Sequence, residues 1–166
     1  SVRTSHSHLK TFRLAMSTSA GYTSFWGDND PSNGSNKEDA FAAVVSTINR
    51  VNEIFENELG IHLELVNGLD LIYDDPDNDP YTDDFGSEVQ ETLDEVLGSQ
   101  NYDIGHLFAY STASGGGNAG SVGNVCIDNK KGSAYSYHPF EGSFNDPFLS
   151  DHFDIDYVAH EIAHQF

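Results

Sequence analysis

The sequence predicts an α/β domain built on a mainly parallel sheet, and three observations predict it. The spacing of apolar residues switches repeatedly between a period of two and a period of 3.6. The resulting elements run strand, helix, strand, helix, strand, edge strand, strand, helix, an order that favours parallel strands joined by right-handed crossovers. At 166 residues with 37% hydrophobic content, the chain can bury one core, and no break in composition divides it, so a single compact unit is expected.

Phe12, Leu14 and Met16 alternate within Leu9 to Thr18 and predict the first strand. The segment from Gly21 to Gly34, with Pro31, Asn33 and several aspartates, reads as a loop. Ser35 and Glu38 then have capping-box spacing, and Phe41, Val44, Val45, Ile48, Val51, Ile54, Phe55 and Leu59 recur at helical period up to Gly60. This predicts one long amphipathic helix. Ile61 to Asn67 and Leu69 to Tyr73 are β-like and split by Asn67-Gly68, which allows a tight hairpin or, preferred here, one bulged strand.

The run from Asp74 to Asp84 is acidic and punctuated by Pro76 and Pro80. Its oxygens could serve calcium, but Pro80 stands where an EF-hand loop needs glycine, so a solvated acidic loop is the reading adopted. A second helix is expected over Ser87 to Leu97, with a Ser87 and Gln90 capping box and Gly98 as its stop. Tyr102 to Tyr110 follows as a mostly apolar, central strand, in which His106 reads as a core histidine. The glycines at 115–117 and 120 precede no Lys-Ser/Thr and open no helix, so they are not a phosphate loop. They lead into a short strand, Ser121 to Cys126, whose glycines would let an extended peptide approach its backbone. Ala134 to His138 is a further short strand, and Pro139 to Phe148 leads to the last helix.

That last helix carries the chemistry. Within Tyr157 to Phe166, His160-Glu161-Ile162-Ala163-His164 is H-E-x-x-H. On a helix the two imidazoles share one face and can hold one metal ion, while Glu161, about 100° round, borders the same site. Neutral imidazoles suit Zn²⁺, and a carboxylate that does not ligate it can take a proton from the attacking water. Val158, Ile162 and Phe166 fall on the opposite side, as an anchor to the core. Asp151, Asp154 and Asp156 are placed to cap the helix start.

Charge narrows the partners. With 27 acidic against 7 basic residues and a formal charge of −20, the chain repels nucleic acid and anionic membrane surfaces. No apolar run is long enough to span a bilayer, and Ser1 to His8 has no signal-peptide core. Cys126 is the lone cysteine, so it is either a buried thiol or one paired beyond residue 166.

Together these stretches resemble the reprolysin-like (adamalysin-type) metzincin zinc peptidases, especially their bacterial members. The resemblance is carried by Leu9 to Thr18, Tyr102 to Phe108, Gly120 to Cys126 and, most specifically, Asp156 to Phe166. It implies a metzincin-like zincin N-terminal subdomain over residues 1–166, with three helices and a twisted five-stranded sheet, mostly parallel with one antiparallel edge strand. It also implies zinc held by His160 and His164, Glu161 as general base, and a peptide held along the edge strand, mapped to Gly117, Gly120, Ser121, Val122 and Gly123. A secreted, monomeric endopeptidase is the expectation.

The metzincin pattern continues H-x-x-G-x-x-H to a third histidine and a later methionine turn. Here Gln165 and Phe166 follow His164 and the remainder of the pattern does not. The expectation is therefore an N-terminal subdomain that lacks its third ligand and is inactive alone, with His6, His8, His138 and His152 as the candidate substitutes. Two other readings are a peptide-binding module without catalysis and a calcium-stabilised acidic surface domain; a thermolysin-type site is the nearest rival enzyme.

Overall fold

The computed structural model describes residues 9–111, 115–139 and 152–166. Five strands form one sheet in the order β2-β1-β3-β5-β4: β1 (Lys10–Thr18), β2 (Ile61–Leu65), β3 (Ile104–Ser111), β4 (Gly116–Asn118) and β5 (Ala134–Pro139). β1 to β3 and β5 run parallel to their neighbours, and β4 lies antiparallel to β5 at the edge. The predicted mixed sheet, with β3 at its centre, is the one observed.

Alternation along the strands sorts side chains to two faces. Leu14 and Met16 of β1 and Ile104 and Phe108 of β3 pack with α1 (Ala20–Trp26), with α2 (Asn36–Glu58) and with Val158 and Ile162 from the C-terminal helical segment. Ala15, Leu107 and Ala109 pack against Val89 and Leu93 of α3 (Phe85–Val96) on the other face. The sheet is thus covered on both sides, as parallel strands require.

α2 begins as predicted. Ser35 Oγ accepts the Glu38 N–H, and Glu38 returns a carboxylate oxygen to the Ser35 N–H at 2.7 Å. The Ser35 N–H and hydroxyl, both donating to the Glu38 carboxylate, hold it below its usual pKa. Gly60 follows the C-cap residue Leu59.

Four local expectations are corrected. Residues 21–26, read as loop, belong to α1, because Ser19 caps it and the distant Asp79 carboxylate accepts the Ala20 N–H at 2.7 Å while Tyr22 is fully buried. There are accordingly four α-helices among the described residues rather than three. α3 starts two residues before Ser87 and has no Ser87 capping box. Glu88 instead accepts the Thr82 N–H, and Gln90 is buried, bonding Tyr102 Oη and the Gly132 N–H.

The stretch after β2 is neither a hairpin nor a bulged strand. The strand stops at Leu65, and the Asn67 side chain takes its place beside β1: its Oδ1 accepts the Met16 N–H at 2.8 Å and its Nδ2 donates to the Met16 carbonyl at 2.9 Å. A carboxamide reproduces the donor and acceptor of a peptide group, so it continues the ladder without a strand. Finally, residues 121–126 form turns, and the edge strand is the earlier Gly116–Asn118.

The C-terminal segment runs in wide π-helical form over His152–Ala159 and narrows into α4 (His160–Gln165). Asp154 lies in its first turn. Its carboxylate reaches α2, accepting from Thr47 Oγ1 at 2.7 Å and pairing with Arg50 Nε at 3.1 Å. Asp151, His6 and His8, most of the Pro139 to Phe148 lead-in and the side chain of His152 lie outside the described residues.

Candidate metal centre

α4 presents the two histidines as their spacing predicts. Val158 and Ile162 are fully buried on the core side, and Phe166 packs edge-on against Phe12 with ring centroids 4.9 Å apart. His160 and His164 are exposed on the other side, with Nε2 atoms 2.9 Å apart. At that distance one ring donates its N–H to the lone pair of the other. A tetrahedral ion binding both nitrogens at about 2.0–2.1 Å would set them about 3.3 Å apart, so a displacement of a few tenths of an ångström converts the pair into two ligands. The pair fits a zinc ion by donor type and spacing.

A third ligand is not grouped with them. Among the described residues no cluster of three or more His, Cys, Asp or Glu could hold a metal. His138, one of the four candidate substitutes, is buried in an aromatic cluster, with ring centroids 4.7 Å from Phe25 and 4.7 Å from Phe153. Two carboxylates of the acidic loop are engaged by neighbouring N–H groups and one of them also by α1. Asp75 receives the Asp77 N–H and the Asn78 amide, and Asp79 receives the Ala20 and Tyr81 N–H groups.

Glu161 sits between the histidine pair and the sheet edge. A Cβ added to Gly117 of β4 would lie 2.6 Å from Glu161 Cγ and 2.8 Å from the Tyr135 carbonyl. Only a residue without a side chain lets β4 pass so close to the carboxylate-bearing turn of α4. On one side β4 pairs with β5, Gly117 opposite Ser136; as the edge strand it has no strand partner on its other side among the described residues. Burial pushes the Tyr135 hydroxyl upward in pKa, and the Tyr137, Asp84 and Glu161 groups add to this. A separate groove of about 840 Å³ lies along α3, lined by Asp84, Glu91, Asp94, Asn118, Gly120 and Tyr135, and neither histidine borders it.

Of the residues assigned to peptide binding, the structure brings Gly117 alone against Glu161. Gly120, Ser121, Val122 and Gly123 follow in turns, with Val122 projecting at 78% exposure. The Gly123 N–H is engaged by the His164 carbonyl at 3.0 Å, and the Val125 N–H by the Gln165 carbonyl at 3.1 Å. The turn segment therefore grips the end of the histidine helix, a role that strand reasoning missed. The available signal was Gly123 itself, whose φ of +68° is a turn value rather than a strand value.

Beneath the pair lies a buried polar group of side chains. His106 bonds Ser136 Oγ through Nε2 at 2.9 Å, and burial pushes its imidazole pKa down to about 3, against a smaller opposing effect of Gln165. It is the core histidine expected from sequence. Cys126 is exposed rather than buried.

No described helix is long and apolar enough to cross a membrane. A search of curated proteins finds no match for the chain. A family model described as metallo-peptidase family M12B, reprolysin-like, matches residues 8–166. With that match spanning nearly the whole sequence and the H-E-x-x-H helix standing at the sheet edge, the chain belongs to the reprolysin-like metallopeptidase family M12B.

Proposed function

We propose that this chain supplies the edge strand, the general base and two of the zinc ligands of a secreted endopeptidase acting on protein or peptide substrates as a monomer. The observation that carries the reading is the juxtaposition of Gly117, Glu161 and the histidine pair. His160 and His164 would hold the zinc, which when bound supplies a Lewis acid for the scissile carbonyl and the attacking water. Glu161 accepts the proton of that water and passes it to the leaving amine. The open side of β4 at Gly116–Asn118 takes the substrate as an added antiparallel or parallel strand, using main-chain hydrogen bonds. Gly120, Ser121 and Val122 extend that surface as a turn, whereas the Gly123 N–H is already committed to His164.

A catalytic zinc site needs three protein ligands with an open fourth position. Two imidazoles bind more weakly, so we place activity in a protein where a third ligand completes the set. Glu161→Gln in a protein with the three-ligand set should abolish peptide hydrolysis and leave zinc stoichiometry intact. Retained turnover would remove Glu161 from the role of base. The 166-residue chain alone should show no chelator-sensitive cleavage of a quenched peptide, and observing such cleavage would contradict the ligand count. The negative charge and the family membership support an extracellular location and argue against nucleic acid or anionic membrane partners.

A further inference from the structure

The last turn of a helix leaves carbonyls without intrahelical partners. In α4 two of them, His164 and Gln165, accept the N–H groups of Gly123 and Val125, from a turn segment more than thirty-five residues earlier in the chain. Between these two donors, Asn124 is 1% exposed and works in both directions. Its Nδ2 donates to the Ala119 carbonyl at 3.0 Å, closing the turn, and its Oδ1 accepts Gln165 Nε2 at 3.2 Å. Gln165 is itself fully buried and points into the sheet, with Nε2 also 3.4 Å from the Gly105 and Lys131 carbonyls. Its Oε1 is buried, as is the Nδ1 of His106, the ring whose protonation Gln165 favours. The Gln165 side chain is therefore a key inserted among β3, the 119–126 turn and the 127–133 turn, and it is attached to the residue adjacent to a zinc-binding histidine.

We infer that Gln165 and Asn124 are positioning residues for the metal centre: they lock the rotation of α4 about its axis and so aim His164 at the ion that His160 shares. The inference rests on the proposed metal site and concerns how that site is held. A helix that rolls carries a ring with it, so a bond fixed at position 165 limits the roll at position 164. Outer groups that orient metal ligands are commonly worth 10- to 100-fold in metal affinity. Gly123 belongs to the same device, because its left-handed φ of +68° turns its N–H toward the His164 carbonyl.

The test uses Co²⁺ as probe ion on the full chain, with Gln165→Met, which keeps length and volume and removes the amide, and Asn124→Ala, which removes its acceptor. Leu93→Ala, in the core face of α3 on the opposite side of the sheet, serves as a control of general destabilisation. Both test variants should weaken Co²⁺ binding at least 10-fold, alter its visible absorption, and speed hydrogen exchange at the Gly123 and Val125 amides; the control should change none of these. Unchanged Co²⁺ affinity and amide protection in Gln165→Met and Asn124→Ala, or equal losses in Leu93→Ala, would overturn the inference. Wild-type chain whose Co²⁺ binding is indifferent to His160→Ala and His164→Ala would instead overturn the metal site, and is recognised because the exchange difference at Gly123 and Val125 persists without metal.

Discussion

Acid should weaken this fold through His106 well before its carboxylates titrate. The imidazole is fully buried between β3 and α4, and its pKa falls from 6.5 to about 3 in the native state because burial disfavours the cation. A base with a depressed native pKa is neutral when folded and protonated when unfolded throughout the window between those values. Stability is therefore fully present above pH 6.5 and declines as pH drops toward about 3, by up to about 1.4 kcal/mol per pH unit. Between pH 7 and pH 5 the expected loss is about 2 kcal/mol. Urea unfolding in the presence of a chelator, at half-unit steps over that range, measures it. His106→Gln keeps a polar partner for Ser136 but does not titrate, so all other groups cancel in the comparison. Equal pH slopes for the two proteins would refute the claim that this ring stays neutral when folded.

Two further outcomes follow from close contacts. Gly117→Ala places a methyl group 2.6 Å from Glu161 Cγ and 2.8 Å from a backbone carbonyl, so it should destabilise by about 1–3 kcal/mol, seen as a melting temperature lower by about 2–4 °C per kcal/mol; an unshifted melting curve would show that β4 and α4 are not in contact. Asn67→Ala strands the Met16 N–H and carbonyl beside β1 and should cost about 1–3 kcal/mol, with faster exchange of the Met16 amide, whereas an exposed, unconnected asparagine would cost almost nothing.

What the sequence discloses here is what can be read within one helical turn or one pleat. The Ser35 and Glu38 box, the apolar rows of α2 and the 160–164 pair all depend on neighbours three or four positions away, and each stands where its spacing puts it. The failures depend on distant partners. α1 is stabilised by Asp79, fifty-nine positions away, and no local propensity signals that. Gln90 looks like half of a capping box but is drawn into the core by Tyr102 and Gly132. Asn67 looks like a turn former, yet its amide is consumed by β1. At the site, glycines at 120 and 123 suggested a strand open to peptide, but one of them closes a turn on the histidine helix. Its role depends on a carbonyl forty-one residues later, which pattern and period cannot see.

The wide π-helical stretch ahead of the histidines has a consequence for chain-length variation. A π-helix advances less per residue than the about 100° of an α-helix, so residues 152–159 deliver His160 to an azimuth that tighter winding would reach with fewer residues. That stretch is a store of angular slack. Loss of a residue within it can be absorbed by rewinding to the α form, with both rings still pointing outward, whereas loss of a residue between positions 160 and 164 swings one ring away by about 100°. Deletions should therefore be tolerated upstream of the pair and forbidden inside it.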